Sequence, residues 1–170
     1  MIIILIWLVF IMFKFLAAKN LKSKPYLQTL SNDWELTTCS GSNFYNQGDY
    51  KNAILQFEQA LKHAKTGLAS GKQRTVFMKY YSLASMNLAH ALNTYQKQPQ
   101  WERVLSDAHF NMLSLMVDDS EPLTFRQEAK TQAEVLLQSL IGYLASVGRN
   151  KVADSLEEEF SRLKITNPVG

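Results

Sequence analysis

Between Phe44 and Leu61 the chain reads Phe-Tyr-Asn-Gln-Gly-Asp-Tyr-Lys-Asn-Ala-Ile-Leu-Gln-Phe-Glu-Gln-Ala-Leu, the end of one helix, a turn and the face of a second. Gly48-Asp49 breaks a helix that ends near Gln47. Beyond the break Tyr50, Ala53, Ile54, Phe57, Ala60 and Leu61 recur at intervals of three and four residues, the spacing of one buried helical face. Tyr50, Phe57 and Leu61 supply bulk, whereas Ala53 and Ala60 leave room for a neighbouring helix to approach closely. This stretch predicts a helical hairpin.

The pattern resembles the tetratricopeptide repeat (TPR), a pair of antiparallel helices of about 34 residues. Gly41 falls where that family places a small residue on its first helix, and Phe44 where it places an aromatic. One full repeat then runs from Trp34 to Gly67, departing from the family pattern at Thr37, where a large residue such as Trp is usual, and at Lys65, where a closing Pro is usual. The resemblance implies a protein-binding scaffold.

Downstream, the same grammar recurs. Val76, Phe77, Tyr80, Tyr81, Leu83, Ala84, Leu88, Ala91 and Leu92 sustain helical spacing, and Asn87-Leu88-Ala89 is similar to the start of a TPR helix. Gln98-Pro99-Gln100 stops that helix, because proline cannot continue the hydrogen-bond ladder. Trp101, Val104, Leu105, Ala108, Met112 and Leu115 mark the next. After the acidic turn Asp118 to Pro122 comes a third long stripe from Phe125 to Leu144. Gly148 closes it, as Gly48 closes the first, and Val152, Ala153, Leu156, Phe160 and Leu163 form the last helix. The predicted fold is all-α, a TPR-like right-handed superhelix of three antiparallel helical hairpins over residues 33–164, with a frayed tail at 165–170. Ser31-Asn32-Asp33 are expected to cap the first helix, and Thr66 to Lys72 to form a turn.

The N-terminus is of a different kind. Met1 to Phe13 carries no polar side chain and is followed by Lys14 and Phe-Leu-Ala-Ala. A helix over residues 1–18 is about 27 Å long, close to a hydrocarbon core of about 30 Å, and Lys14 can extend its amine toward the headgroups. A single transmembrane helix is the first reading. A cleaved signal segment is the second, opposed by the lack of a basic residue before the apolar run and of a small-x-small site. Residues 19–32 read as a polar linker. All four lysines up to Lys24 follow the apolar run with no acid among them, which by the positive-inside bias predicts a single-pass membrane protein with its C-terminal domain in the cytoplasm.

Those four lysines also explain the net charge of +3: from Pro25 onward 14 basic residues face 15 acidic ones. The domain has no cationic surplus to neutralise a phosphate backbone, so nucleic acid is not an expected partner. The single cysteine, Cys39, excludes an intramolecular disulfide.

No catalytic chemistry is legible. His63, His90 and His109 each lack a second histidine or cysteine at metal-ligand spacing in their own helix, and no phosphate loop, Gly-x-Ser-x-Gly elbow or Cys-x-x-Cys occurs. Asp118 and Asp119 read as solvated helix-starting charges. The chain is expected to be no enzyme, with no cofactor and no metal.

The TPR resemblance implies a concave side lined by the first helix of each hairpin. Its candidate peptide-binding residues are Thr38, Ser42 and Tyr45, then Met86, Asn87, His90 and Asn93, then Gln138. The family's carboxylate grip of lysine, asparagine and arginine side chains is matched only at Asn87, with Thr38 and Ser42 in place of the first repeat's lysine and asparagine and Val135 and Ser139 in place of the third repeat's lysine and arginine, so shape and neutral hydrogen bonds should dominate. The expected function is a membrane-tethered adaptor or assembly factor holding a partner protein or peptide. The alternatives are an exported envelope-complex subunit with a cleaved signal, and a regulatory subunit that self-associates through the exposed ends of the helix stack.

Overall fold

The computed structural model describes residues 25–95 and 100–166. The described residues form six helices and no strand: α1 (25–46), α2 (Tyr50–Ala69), α3 (Arg74–Thr94), α4 (Gln100–Val117), α5 (Leu123–Ser146) and α6 (Asn150–Thr166). The expected membrane helix at 1–18, the linker up to residue 24, the Pro99 stop and the last four residues lie outside them. No helix among the described residues is long and apolar enough to cross a membrane.

Two turns share one geometry. After α1, the Gly48 amide donates to the Tyr45 carbonyl (3.0 Å) and the Asp49 amide to that of Phe44 (2.9 Å); after α5, Gly148 and Arg149 repeat this on Ala145 and Leu144 at the same distances. This is the Schellman closure, which needs a left-handed residue at its centre. Gly48 and Gly148 supply it with φ of 77° and 76°. The chain leaves the Gly48 turn straight into α2, where the Asp49 carboxylate accepts from the Asn52 amide and caps the helix.

Cross-helix contacts give the directions of the helices. Tyr81 in the first half of α3 meets Asn111 in the second half of α4, Arg126 near the start of α5 donates to the Met116 carbonyl at the end of α4, and Trp101 at the start of α4 meets Tyr143 near the end of α5, so these neighbours in sequence run antiparallel. Helices two apart run parallel: Ser31 and Trp34 meet Tyr80, while Tyr45 meets His90 further along both. In the same way Met86 meets Ser139 and His90 meets Tyr143. Helices α1, α3 and α5 therefore lie side by side, with α3 touching α2, α4 and α5 as well. This central place explains why α3 buries ten residues spread around its circumference, among them Phe77, Tyr81, Ala84, Leu88 and Leu92.

Close approach is bought with small residues. Ala53, Ala60 and Ala64 on α2 and Ala129 and Ala133 on α5 are fully buried. Gly41 sits so near Phe57 that an added Cβ would lie 2.6 Å from the ring, and Gly67 would place one 2.1 Å from Phe77. Gly67, expected in a turn, is thus inside α2, which continues to Ala69.

The first hairpin is longer than expected. Residues 25–32, expected as linker, are helical, and Leu27 and Leu30 are buried with Phe77. Ser31, Asn32 and Asp33 lie within α1 instead of capping it; Ser31 bonds the Tyr80 hydroxyl (3.1 Å) beside Trp34, which stacks on Tyr80 at 3.9 Å. The first hairpin spans at least 25–69, beyond the Trp34–Gly67 unit. The physical reason is that α3 is long enough to offer Phe77 and Tyr80 as cover for another turn of α1.

Candidate functional site

The side-by-side helices α1, α3 and α5 place residues from three separate stretches at one level. Tyr45, near the end of α1, lies with its hydroxyl 2.8 Å from His90 Nε2 and 2.9 Å from Thr94 Oγ1. His90 Nδ1 is 2.9 Å from the Tyr143 hydroxyl on α5. The protons can be followed along this row. Thr94 donates to the His90 carbonyl (3.0 Å), so Tyr45 donates to Thr94; the His90 Nε2–H then donates to Tyr45, and Tyr143 donates to Nδ1. Every hydroxyl and both ring nitrogens are satisfied with the imidazole neutral.

The row continues as ring contacts. Tyr50 on α2 meets Tyr45 edge-on (centroids 5.3 Å), and Trp101 on α4 lies 5.2 Å from Tyr143. Five rings from five helices, Tyr50, Tyr45, His90, Tyr143 and Trp101, thus cross the end of the molecule where α1, α3 and α5 terminate. Burial holds the Tyr143 hydroxyl above the ordinary phenol range, with the neighbouring Tyr45 adding to the effect, so it stays a proton donor at neutral pH.

The other candidate residues are placed unevenly. Met86 is half-buried and its sulfur accepts from Ser139 (3.2 Å), closing the seam between α3 and α5. Ser42 is exposed and returns its hydroxyl to the Thr38 carbonyl. Thr38 Oγ1 is buried without a hydrogen-bond partner among the described residues. Asn87 and Asn93 are half-buried on α3, and Gln138 is exposed on α5. Of the eight, Tyr45 and His90 are in direct contact across two helices, and Ser42 and Thr38 within one.

Tyr143 and Thr94 were not among the sequence candidates. Their signal is an offset: His90 lies 45 residues after Tyr45, and Tyr143 a further 53. A reading built on a 34-residue period looks for the partner too early.

Leu83, expected in the α3 core stripe, is 42% exposed, and Val135 on α5 is 40% exposed. Both sit on the side of their helix that no other described helix covers, Leu83 one turn from Asn87 and Val135 one turn from Gln138. The open side of α3 and α5 therefore alternates aliphatic side chains with neutral amides. The Lys79–Glu128 pair (3.5 Å) spans the same two helices nearer their N-termini.

The acidic turn builds structure. Asp118 accepts from the Ser120 hydroxyl (2.6 Å) and amide (3.0 Å), which hold its carboxyl below the ordinary range, and Asp119 pairs with Arg126 at 2.8 Å. Among the described residues no group of three histidine, cysteine, aspartate or glutamate side chains is placed to hold a metal ion.

A family model described as "Protein of unknown function (DUF2753)" matches residues 32–167. No curated protein and no solved structure matches the chain.

Proposed function

The chain belongs to the DUF2753 family, and from its helix arrangement we propose that it is a TPR-like scaffold, a right-handed stack of three helical hairpins that holds a partner protein or peptide on its open α1–α3–α5 face. The observation that carries this reading is the parallel, side-by-side run of the first helix of each hairpin, read from the Tyr45–His90–Tyr143 row. Helices so arranged present a continuous surface to one side, the use to which hairpin solenoids are put. The surface offers Leu83 and Val135 beside Asn87 and Gln138, a chemistry suited to a mainly neutral segment with apolar side chains. The 45- to 53-residue offsets exceed the TPR unit because the helices are longer, so the likeness is one of hairpin logic and small-residue packing.

In this proposal residues 1–18 tether the domain to a membrane, with the domain on the cytoplasmic side, which raises its local concentration near membrane-bound partners. Membrane fractionation with protease added from either side tests the tether; release of a domain shortened by about 18 residues, as a signal of that length would give, overturns it. The face is tested separately. A photo-crosslinking residue at Asn87 or Gln138 should capture a partner of defined mass in cells, and the same residue at the exposed Glu58 of α2 should not. Equal capture from both sites, or from neither, removes the groove reading.

A further inference from the structure

Helices α1 and α3 are joined by polar rungs at a fixed offset. Ser31 meets the Tyr80 hydroxyl (3.1 Å) and Tyr45 donates to Thr94 (2.9 Å), each pair 49 residues apart. From Ser31 to Tyr45 is close to four helical turns, so the two share one face of α1, as Tyr80 and Thr94 share one of α3. Because the helices run parallel, the same offset places Thr38 opposite Asn87, midway between the two bonds and about 10 Å along the axis from each.

At this middle rung the seam buries polar atoms without pairing them. Thr38 Oγ1 and, one turn earlier on α1, Trp34 Nε1 have no hydrogen-bond partner among the described residues. Trp34 is 7% exposed and is held by its stack on Tyr80; its indole N–H can only donate. Thr38 departs from a habit common in these helices, where Thr29, Ser42, Thr66, Ser82 and Ser85 each donate to the carbonyl four residues earlier. The carbonyl that Thr38 would use, that of Trp34, already accepts from Thr37 (3.1 Å). Buried polar atoms in folded proteins are nearly always satisfied, and ordered water serves where the chain offers no partner.

We propose that one internal water completes the rung. It accepts from the Trp34 indole N–H and donates to Thr38 Oγ1 and to the side-chain carbonyl of Asn87, which stands half-buried opposite. About three such bonds are the ordinary complement of a buried water. Its room comes from small side chains: on the α3 face that carries Tyr80 and Asn87, the residue between them is Ala84, so a threonine and an alanine line the seam at this level, whereas a tyrosine ring fills each neighbouring rung. Both orphan atoms are buried as the helices stand, so the water is admitted by a slight parting of α1 from α3 and exchanges slowly with solvent. The site depends on the α1–α3 contact alone, and its failure is distinguishable from failure of the groove or of the tether.

The test reads the Trp34 indole proton in the isotope-labelled full-length chain, in micelles or in buffer according to where the chain fractionates, with the signal assigned by its loss in Trp34→Phe. A cross-peak to the water resonance is expected, with nuclear Overhauser effects of opposite sign in the laboratory and rotating frames, the mark of a long-lived water as distinct from proton exchange. Thr38→Val keeps the shape of the side chain and removes the hydroxyl. In this variant the peak should persist, because Trp34 and Asn87 still hold the water and no hydroxyl is left to relay the transfer. Its melting temperature should fall by about 2–4 °C, the shift that one lost hydrogen bond gives in a chain of this size. No peak in the wild-type chain, its loss in Thr38→Val, or a melting temperature that rises in that variant overturns the water.

Discussion

At the residue scale, close packing sets the most specific constraints. Gly67 lies within a helix, where exchange for alanine ordinarily gains helix stability of about 1 kcal/mol. Here the new Cβ would fall 2.1 Å from the Phe77 ring, so Gly67→Ala should instead destabilise by about 1–3 kcal/mol, read from urea midpoints. His109 makes a second prediction. It is 2% exposed, its Nδ1 donates to the Ala133 carbonyl (2.9 Å), and Phe160 of α6 stands edge-on to it at 5.7 Å. Burial lowers its pKa below 6.5, against the opposing pull of the Ala133 carbonyl and Glu159. Between the lowered and ordinary values the unfolded chain binds more protons than the folded one, so this histidine's contribution to stability is complete above about pH 6.5 and declines as the pH falls through that range. Measuring unfolding at pH 7.5 and 5.5 in wild type and His109→Gln should show a smaller acid loss in the variant; equal losses would remove His109 as the cause.

At the element scale, the helices are joined by few but well-built ties. Arg74 at the start of α3 donates to the Leu68 carbonyl at the end of α2, grips Glu121 with one nitrogen on both carboxylate oxygens (2.6 and 2.8 Å), and lies 4.2 Å from the Phe125 ring of α5. One side chain thus pins three helices at a partly buried site. Arg74→Ala should cost about 1.5–3 kcal/mol, as for hydrogen bonds to charged groups, and Glu121→Gln a smaller part of it. At the opposite end the tyrosine–histidine row ties α1, α3 and α5. Tyr143→Phe removes the donor to Nδ1 but leaves that nitrogen on an exposed histidine where water can reach it, so a loss of only about 0.5–1.5 kcal/mol is expected by thermal denaturation. A larger loss would mean that the row acts as one cooperative network.

At the scale of the whole molecule, α3 is in contact with helices on several sides while α6 rests on α5 and, through Phe160, on His109 of α4. Opening should therefore begin at α6. Native-state hydrogen exchange is expected to show the α6 amides exchanging through local opening and those of α3 only through global unfolding. Uniform protection across both helices would contradict this order.

The sequence by itself determined the helices and their punctuation, because these depend on neighbours within a few positions. The Tyr50–Leu61 stripe, the Gly48 and Gly148 turns and the start of α5 after Pro122 all follow from local spacing and from the backbone freedom of glycine. Tertiary structure alone decided that residues 25–32 are helical, that Gly67 serves packing rather than turning, and that Leu83 faces outward. Each of these depends on which residue of a distant helix stands opposite, and that register is set by helix length, which apolar periodicity leaves open. The Tyr45–His90–Tyr143 row belongs to the same class: two of its members were legible as face residues, but their union required three helices, 45 and 53 residues apart, to come to one level.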